Sequence, residues 1–171
     1  NQLIKTSKDA DVLVPPGIAA RGWPALDNTW AAWVERGTDG ISTLQVWRLD
    51  DDSAPKTLAV PYVADPVQLH LAGGRLYYVD TVYGDPDVFA VDLETGLWTA
   101  VVALAGAQER PHGFGDRVVW QDCRACVFGD DGSGREIYLR DMATGTETRL
   151  TDDGDSDTAP VLGTSTEAGQ V

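Results

Sequence analysis

Apolar and polar residues alternate in short runs along the chain, and the runs return at a nearly fixed interval. Three segments of the sequence align without a gap: residues 23–35, 68–80 and 110–122. An aromatic residue recurs in them at intervals of 45 and 42 residues, at Trp33, Tyr78 and Trp120. An acidic residue follows two positions later in each segment, at Glu35, Asp80 and Asp122. A period of this length indicates an internal structural repeat.

Each segment is followed by a second apolar motif and by a shorter third run. The second motifs are residues 44–50, 87–93 and 136–142. The third runs are 57–60, 97–102 and 147–150. Asp-Asn, Gly-Gly and Gly-Asp pairs within the first segments are typical of tight hairpin turns, and no window of eleven or more residues has a helical period. The pattern therefore predicts an all-β fold made of β-propeller blades, with four antiparallel strands in each blade.

The three repeats define three complete blades, at about residues 22–60, 66–102 and 109–151. Flanking strands are expected at about residues 2–5 and 157–163, the latter because Pro160 lies 49 residues after Pro111. We treat residues 1–171 as a single partial propeller domain. Propellers usually have four to eight blades, and three blades leave unpaired edges. We therefore expect a piece of a larger ring, or a ring completed by a protein partner or a second copy.

The charge balance excludes one class of partner. Of 171 residues, 13 are Lys or Arg and 27 are Asp or Glu, which gives a net charge of −14. A surface this acidic is unsuited to nucleic acid, because phosphates attract positive charge. The longest continuous apolar run, Ala100 to Ala105, is also far too short to span a bilayer. We expect neither a nucleic-acid partner nor a membrane span.

The third repeat carries the most specific sequence pattern. Its parts are Gly115–Asp122, Arg135–Asp141, Ala143-Thr144-Gly145 and Arg149–Asp152. This pattern resembles the blade repeat of TolB-like, WD40-like periplasmic propellers, and the resemblance extends over roughly residues 22–163. It implies a bacterial protein of the periplasm or the cell exterior that acts chiefly through protein–protein contacts. The shared residues build blades, so the resemblance brings no catalytic residues with it.

Two histidines occupy equivalent positions of the innermost strands, which line the channel of a propeller. His70 and His112 are therefore candidates for binding a metal or an anionic ligand in the channel. The alternative is that both imidazoles serve packing. Two ligands fall short of the three or more that a protein metal site usually has.

An acidic loop follows the third blade. Asp153, Asp155 and Asp157 alternate as the ligands of a calcium loop do, and calcium prefers several oxygen ligands. The EF-hand template then fails, because Thr158 and Thr164 stand where it has glycine and glutamate. The loop is either a calcium site or a solvated connection between blades. No other cofactor is indicated.

The two cysteines form a C-x-x-C pair. Cys123 and Cys126 are expected to form a local disulfide, which requires an oxidising compartment. Two free thiols, or a metal or redox role, are the alternatives. One such pair cannot supply four zinc ligands by itself.

The six tryptophans are mostly expected between blades. Trp23 and Trp98 depart most from the shared pattern, so they are the candidates for exposed contact residues. The repeated acids Glu35, Asp80 and Asp122 occupy one equivalent position in successive blades. We therefore interpret them as strand-capping groups rather than as a catalytic pair.

Three functions remain open on the sequence. The first is a non-catalytic protein–protein interaction module on a propeller scaffold. The second is the propeller portion of a secreted hydrolase, a peptidase or a carbohydrate-active enzyme. The third is a structural subunit of an extracellular or envelope assembly. Fold alone does not decide between them.

Overall fold

The computed structural model describes residues 17–61, 63–126, 134–153 and 155–163. Twelve strands form three four-stranded antiparallel sheets in these ranges. The first sheet contains β1 (Ile18–Leu26), β2 (Trp30–Gly37), β3 (Ser42–Arg48) and β4 (Lys56–Thr57). The second contains β5 (Val67–Ala72), β6 (Arg75–Asp80), β7 (Asp87–Asp92) and β8 (Trp98–Val102). The third contains β9 (Gln108–Phe114), β10 (Arg117–Asp122), β11 (Glu136–Asp141) and β12 (Glu147–Arg149).

In every sheet the strands pair in chain order, so each sheet is a meander of the kind that forms a propeller blade. We call the sheets blades 1, 2 and 3. The all-β propeller fold predicted from the repeat is thereby confirmed. No helix within the described ranges is long and apolar enough to cross a membrane.

Tight turns connect the paired strands of the hairpins. The β1–β2 turn is closed by Asp27, whose Oδ1 accepts hydrogen bonds from the backbone N–H groups of Thr29 and Trp30 at 2.8 and 2.7 Å. Gly73, in the β5–β6 turn, has a φ of 58°. A Cβ atom there would lie 2.5 Å from the carbonyl oxygen of Gly115, so only glycine allows this close approach between blades 2 and 3.

Two apolar layers hold the blades together. The first lies between blades 1 and 2, where Val34 and Leu44 pack with Tyr78 and Phe89. The second lies between blades 2 and 3, where Tyr77 and Val79 pack with Trp120. Successive residues of β6 thus point into different layers, as the period of two requires. Blade 2 is buried on both faces.

The repeated aromatic position faces the preceding blade in blades 2 and 3. Tyr78 and Trp120 are fully buried, under blade 1 and blade 2 respectively. Trp33 is partly exposed, because its side of β2 points away from blade 2. The repeated acids bind local groups. Trp120 donates to Asp122 at 2.8 Å, and Trp33 donates to Glu35 at 3.2 Å.

The carboxylate of Asp80 caps backbone N–H groups. It accepts hydrogen bonds from the N–H groups of Ala64, Asp65 and Thr81 at distances of 2.7 to 3.2 Å. This geometry agrees with the interpretation of the repeated acids as capping groups.

The strand register shows which residues of the second motifs are equivalent. It pairs Glu35 with Thr43, Asp80 with Asp87 and Asp122 with Glu136. Thr43 is therefore the equivalent residue. A shift of one residue reverses the face of a strand, so Leu44 points into the layer shared with blade 2.

The ends of the blades differ from the prediction. Blade 1 begins at Ile18 rather than at residue 22, and its outer strand contains only Lys56 and Thr57. Residues 157–163 form no strand, because the described part of the chain contains no neighbouring strand to pair with them. The strand predicted at residues 2–5 lies outside the described residues.

Candidate functional site

Four residues share an uncommon backbone conformation at the inner ends of the blades. Trp23, Gln68, Arg110 and Ala159 have φ angles of 52°, 53°, 53° and 54°, and no other described non-glycine residue has a positive φ. The first three open the aligned segments of the repeat. Ala159 lies 49 residues after Arg110, at the position that a fourth inner strand would have.

This conformation is built into each inner strand. Register shifts interrupt the ladders between Gly22 and Ala25 and between Val67 and His70, beside the left-handed residues. A bulge of this kind bends the strand and redirects its side chains. A left-handed non-glycine residue costs about 1–3 kcal/mol, and such strain persists mainly where the surroundings hold it for a function.

The four left-handed residues border one concavity, which we call the channel mouth. Its volume is about 470 Å³. The side chains of Leu69, His70, Pro111 and His112 complete its wall together with Pro160 and Val161. Each of the three blades contributes to it, and so does the segment that follows blade 3.

The predicted channel histidines lie together in this wall. The ring centroids of His70 and His112 are 4.0 Å apart, with an angle of 36° between the planes. Nε2 of His70 lies 3.1 Å from the carbonyl oxygen of Gly113. Nδ1 of His112 lies 3.1 Å from the backbone nitrogen of Leu162.

These contacts define the tautomer of each ring. A carbonyl oxygen can only accept, so Nε2 of His70 carries a proton and donates it. A backbone N–H can only donate, so Nδ1 of His112 is an unprotonated acceptor and the proton of the neutral ring is on Nε2. Nδ1 of His70 then carries the one lone pair that could bind a metal. One lone pair is a poor basis for a metal site.

Burial lowers the pKa of both histidines below the ordinary value of 6.5. Desolvation is the largest cause for His70, and the Gly113 carbonyl and Asp27 oppose it. Desolvation is also the largest cause for His112, and the neighbouring His70 adds to it. Both imidazoles are therefore mostly neutral at pH 7.

Trp23 and Arg110 give the mouth its exposed surface. Trp23 is 50% exposed, and the Arg110 side chain also reaches solvent. The backbone N–H of Arg110 donates to Oε1 of Gln68 at 2.6 Å, which links blades 2 and 3 at the mouth. An aromatic ring and a guanidinium thus lie on the rim of one concave surface.

Trp98 lies outside the channel mouth and is partly buried, and its role as a contact residue stays a prediction. Its indole Nε1 donates to the hydroxyl of Tyr78 at 2.8 Å, and its ring stacks on Phe89 at 5.3 Å. The ring fills the layer between blades 1 and 2. Nothing in its sequence neighbourhood distinguishes this packing from exposure.

The acidic loop gathers only part of the predicted calcium ligands. Carboxylate oxygens of Asp153 and Asp157 lie within 4.8 Å of one another and of Glu136, and Asp155 is not in this group. The backbone N–H of Asp155 instead donates to Asp153 at 3.1 Å. Calcium binding by Asp153, Asp155 and Asp157 stays a prediction.

Glu136 already has partners in this cluster. It accepts from the Thr151 hydroxyl at 2.6 Å and pairs with Arg149 at 2.8 Å. These contacts, with that of Thr151 first, lower the pKa of Glu136. The sequence did not indicate that blade 3 would contribute this third carboxylate.

Cys123 and Cys126 form a disulfide in the structure. The loop they close is tied to the preceding connection, because the N–H of Cys123 donates to the Ala107 carbonyl at 2.8 Å. Between them, Arg124 pairs with Asp122 at 2.6 Å and Glu147 at 2.8 Å. The disulfide thus lies beside an ion-pair network at the edge of blade 3.

Gln68, Arg110 and Ala159 were not predicted as site residues. A signal was present: Gln68 and Arg110 begin aligned segments, and proline follows Arg110 and Ala159 as it follows Trp23. Proline restricts the residue before it and marks a special backbone position. The left-handed angle itself was not predicted.

Comparison with known proteins assigns this architecture to a class. The sequence matches no family profile and no curated relative. A solved structure of TolB from Agrobacterium tumefaciens superposes with a TM-score of 0.58 at 17% identity, over 82% of this chain and 53% of that chain. The chain has a TolB-like β-propeller fold and spans about half the length of that TolB.

Propellers from other proteins superpose as well. A puromycin-hydrolyzing peptidase of Mycobacterium tuberculosis gives a TM-score of 0.52 at 18% identity, over 76% of this chain and 20% of that one. A chain of a nidogen/laminin complex gives a TM-score of 0.52 at 13% identity, over 82% of this chain and 50% of that one. Similarity at these identities establishes the fold, and the site residues carry the functional argument.

Proposed function

We propose that this chain is a non-catalytic protein-interaction module whose contact surface is the channel mouth. The observation that carries the proposal is the position of Trp23. Its ring is half exposed on the rim of a concave surface, at a backbone angle of 52° that the β1 bulge imposes. Tryptophan and arginine are the residues most enriched in binding hot spots.

The chemistry of the mouth suits recognition. The ten residues that line it include no hydroxyl, thiol or carboxylate side chain. Its two imidazoles are engaged with backbone groups. Arg110 offers a guanidinium to a carboxylate of the partner, and Trp23 offers an apolar face. An extended acidic segment with one large apolar side chain fits both groups.

Selection from a random peptide library displayed on phage tests this proposal. The immobilised chain should enrich peptides that combine an acidic residue with an apolar one. These peptides should lose binding to the Trp23→Ala and Arg110→Ala variants. They should keep binding to Leu97→Ala, which removes a residue that is 67% exposed and lies outside the mouth. Enriched peptides that bind Trp23→Ala unchanged would place the contact surface elsewhere.

A second surface supports a partner that completes the ring. The side of blade 1 that faces away from blade 2 carries an apolar cavity of about 380 Å³, bordered by Ala25, Leu26 and Trp33. Equivalent surfaces of blades 2 and 3 are covered by the preceding blade. A protein partner or a second copy that presents a sheet face would bury it. Such a partner also fits the role of a structural subunit in an extracellular or envelope assembly.

Light scattering distinguishes the two kinds of partner. A second copy predicts a discrete species of twice the chain mass, which a Trp33→Glu substitution dissociates. A different protein predicts a monomer that gains mass only in that protein's presence. We favour the different protein, because residues 157–163 already occupy the place beside blade 3 that β1 of a second copy would need.

An enzymatic context is the alternative to a pure interaction module. The propeller of the mycobacterial peptidase superposes on this chain, which covers only 20% of that protein. This chain would then be the propeller portion of a secreted peptidase, another hydrolase or a carbohydrate-active enzyme. Peptidase activity in the complete native protein, abolished by a serine-reactive inhibitor, would favour this alternative.

We further infer a periplasmic or extracellular location. The Cys123–Cys126 disulfide supports it, because disulfides persist in oxidising compartments. Alkylation of thiols in lysates of the native source, before and after reduction, tests the inference. Cysteines that react only after reduction fit it, and cysteines that react at once contradict it.

A further inference from the structure

The segment that follows blade 3 is fastened to the blade by three backbone N–H groups. Asp157 donates to the Arg135 carbonyl at 2.8 Å. Ala159 donates to Oε1 of Gln121 at 3.3 Å, and Leu162 donates to Nδ1 of His112 at 3.1 Å. Two of the three acceptors are side chains, where a strand in a sheet would use carbonyls. One of those side chains titrates.

The bond to His112 exists in only one protonation state. Nδ1 accepts from Leu162 only while it is unprotonated. A proton on Nδ1 would set two donors against each other at 3.1 Å, so the bond would be lost. His70 differs, because its Nε2 donates to the Gly113 carbonyl in both the neutral and the charged state. Protonation therefore breaks a contact at His112 and spares the one at His70.

The surroundings of His112 are mixed in charge. On the side of the neighbouring ring, β5 presents His70, which Asp27 in the β1–β2 turn favours in its charged form. On its own strand, β9, the neighbouring charged residues are Glu109 and Arg110. Oε2 of Glu109 accepts a hydrogen bond from Nε2 of Gln121 at 3.1 Å. The residue of β10 that pairs with His112 is the uncharged Val119.

The docked segment adds one acid to these surroundings. This is Asp157, five residues before Leu162. None of these charges forms an ion pair with His112 in the described structure, so the geometry offers the charged ring no carboxylate partner.

We propose that His112 is a pH-sensitive latch: protonation of its Nδ1 releases residues 157–163 from blade 3. Because Ala159, Pro160 and Val161 form one wall of the channel mouth, release widens the mouth. The latch stands on its own geometry, and only its effect on binding rests on the proposed function.

The direction of the effect follows from the lowered pKa. A histidine with a folded-state pKa below its ordinary 6.5 favours the latched state above that value. The latch weakens as the pH falls below 6.5 and opens as it passes the lowered pKa of the folded state. Desolvation by burial is the largest cause of that lowering.

Amide hydrogen exchange measured by NMR tests the latch without any partner. The protection factor of the Leu162 amide, corrected for the intrinsic exchange rate, should fall about tenfold or more between about pH 7.5 and about pH 5. The Cys123 amide, which donates to the Ala107 carbonyl, should hold its protection over the same range. Equal loss at both amides would mean general unfolding and would overturn the proposal.

Two variants separate the effect of protonating His112 from the effect of its hydrogen bond to Leu162. In His112→Asn, Oδ1 takes the place of Nδ1 and accepts from Leu162 without titrating, so protection should become independent of pH. In His70→Gln, Nε2 still donates to Gly113 and the latch should still open in acid. A pH response that persists in His112→Asn overturns the proposal.

A spectroscopic measurement covers the case in which a variant fails to fold. Long-range ¹H–¹⁵N correlation of the wild-type imidazoles at about pH 7.5 should show His112 as the Nε2–H tautomer. An Nδ1–H tautomer would exclude the bond to Leu162 and overturn the latch. Peptide binding that Trp23→Ala leaves unchanged would overturn the proposed function without altering these results, so the two proposals fail separately.

Discussion

Leu26 and Leu71 occupy the same position in the inner strands of blades 1 and 2, 45 residues apart, yet Leu26 is 66% exposed and Leu71 is 5% exposed. Their hairpin partners are equivalent too, since Leu26 pairs with Ala31 and Leu71 pairs with Leu76. The difference arises from the neighbouring sheet. Leu71 packs in the layer between blades 1 and 2, and no described residues form a blade over Leu26.

This pair of leucines predicts a large difference in stability. Leu71→Ala should lower the free energy of unfolding by about 2–5 kcal/mol, because it leaves a cavity between two blades. Leu26→Ala should change it by less than about 0.5 kcal/mol. Urea unfolding followed by tryptophan fluorescence measures both. Equal losses in the two variants would contradict the blade packing.

Asp87 is predicted to make stability depend on pH in the direction opposite to that of His112. Burial, with a smaller contribution from Asp85, raises the pKa of Asp87 to about 6. Its Oδ1 is buried without a hydrogen-bond partner in the described structure. The folded state thus favours the protonated acid, whose stabilising contribution is present below the ordinary 3.8 and is lost as the pH rises through about 6.

Asp87→Asn isolates this effect. The variant should be more stable than the wild type by about 1–3 kcal/mol at pH 7, and the gain should vanish near pH 4. Urea unfolding at several pH values gives the comparison. A gain that is constant with pH would show that Asp87 does not titrate in this range.

The disulfide should stabilise the chain modestly. Closure of a loop as short as Cys123–Cys126 contributes about 2 kcal/mol in the chain-entropy description. The double variant Cys123→Ser and Cys126→Ser should lose about that amount in thermal or urea unfolding. The wild type in a reducing buffer should behave as the variant does. A variant as stable as the oxidised wild type would leave the disulfide without a structural role.

Calcium is the cation that the acidic loop is predicted to bind. Calcium binding would raise the Tm of the wild type over its value in chelator, because a ligand that binds only the folded state stabilises it. Asp153→Asn should reduce that rise, because Asp153 belongs to the carboxylate cluster with Glu136 and Asp157. Asp155→Asn should preserve the rise, because Asp155 lies outside this cluster. Equal Tm values with calcium and with chelator would show that the folded chain does not bind calcium.

The sequence predicted the repeat because burial is periodic. Trp33, Tyr78 and Trp120 are large and recur at blade intervals, so a linear comparison finds them, and Tyr78 and Trp120 point to the preceding blade. The register of β3 was not predicted, because the loop before β3 has a different length from the loop before β7. Loop length sets the register, and the register sets the face.

The site was less accessible to sequence reasoning. His70 and His112 were predicted to share the channel, since equivalent positions meet there. The bond between His112 and Leu162 joins residues 50 apart through a segment that forms no strand, and no local pattern encodes it. The partial burial of Trp98 was not predicted, because exposure depends on which neighbour covers a ring, and in this case Phe89 does.

Binding of a selected peptide to Trp23 variants tests the central claim most directly. A peptide enriched on the wild type is titrated calorimetrically into the wild type, Trp23→Ala and Leu97→Ala. The account predicts a Kd weakened about 30-fold or more in Trp23→Ala, which corresponds to about 2 kcal/mol or more. It also predicts an unchanged Kd in Leu97→Ala. The same Kd in all three proteins would contradict the assignment of the channel mouth as the binding surface.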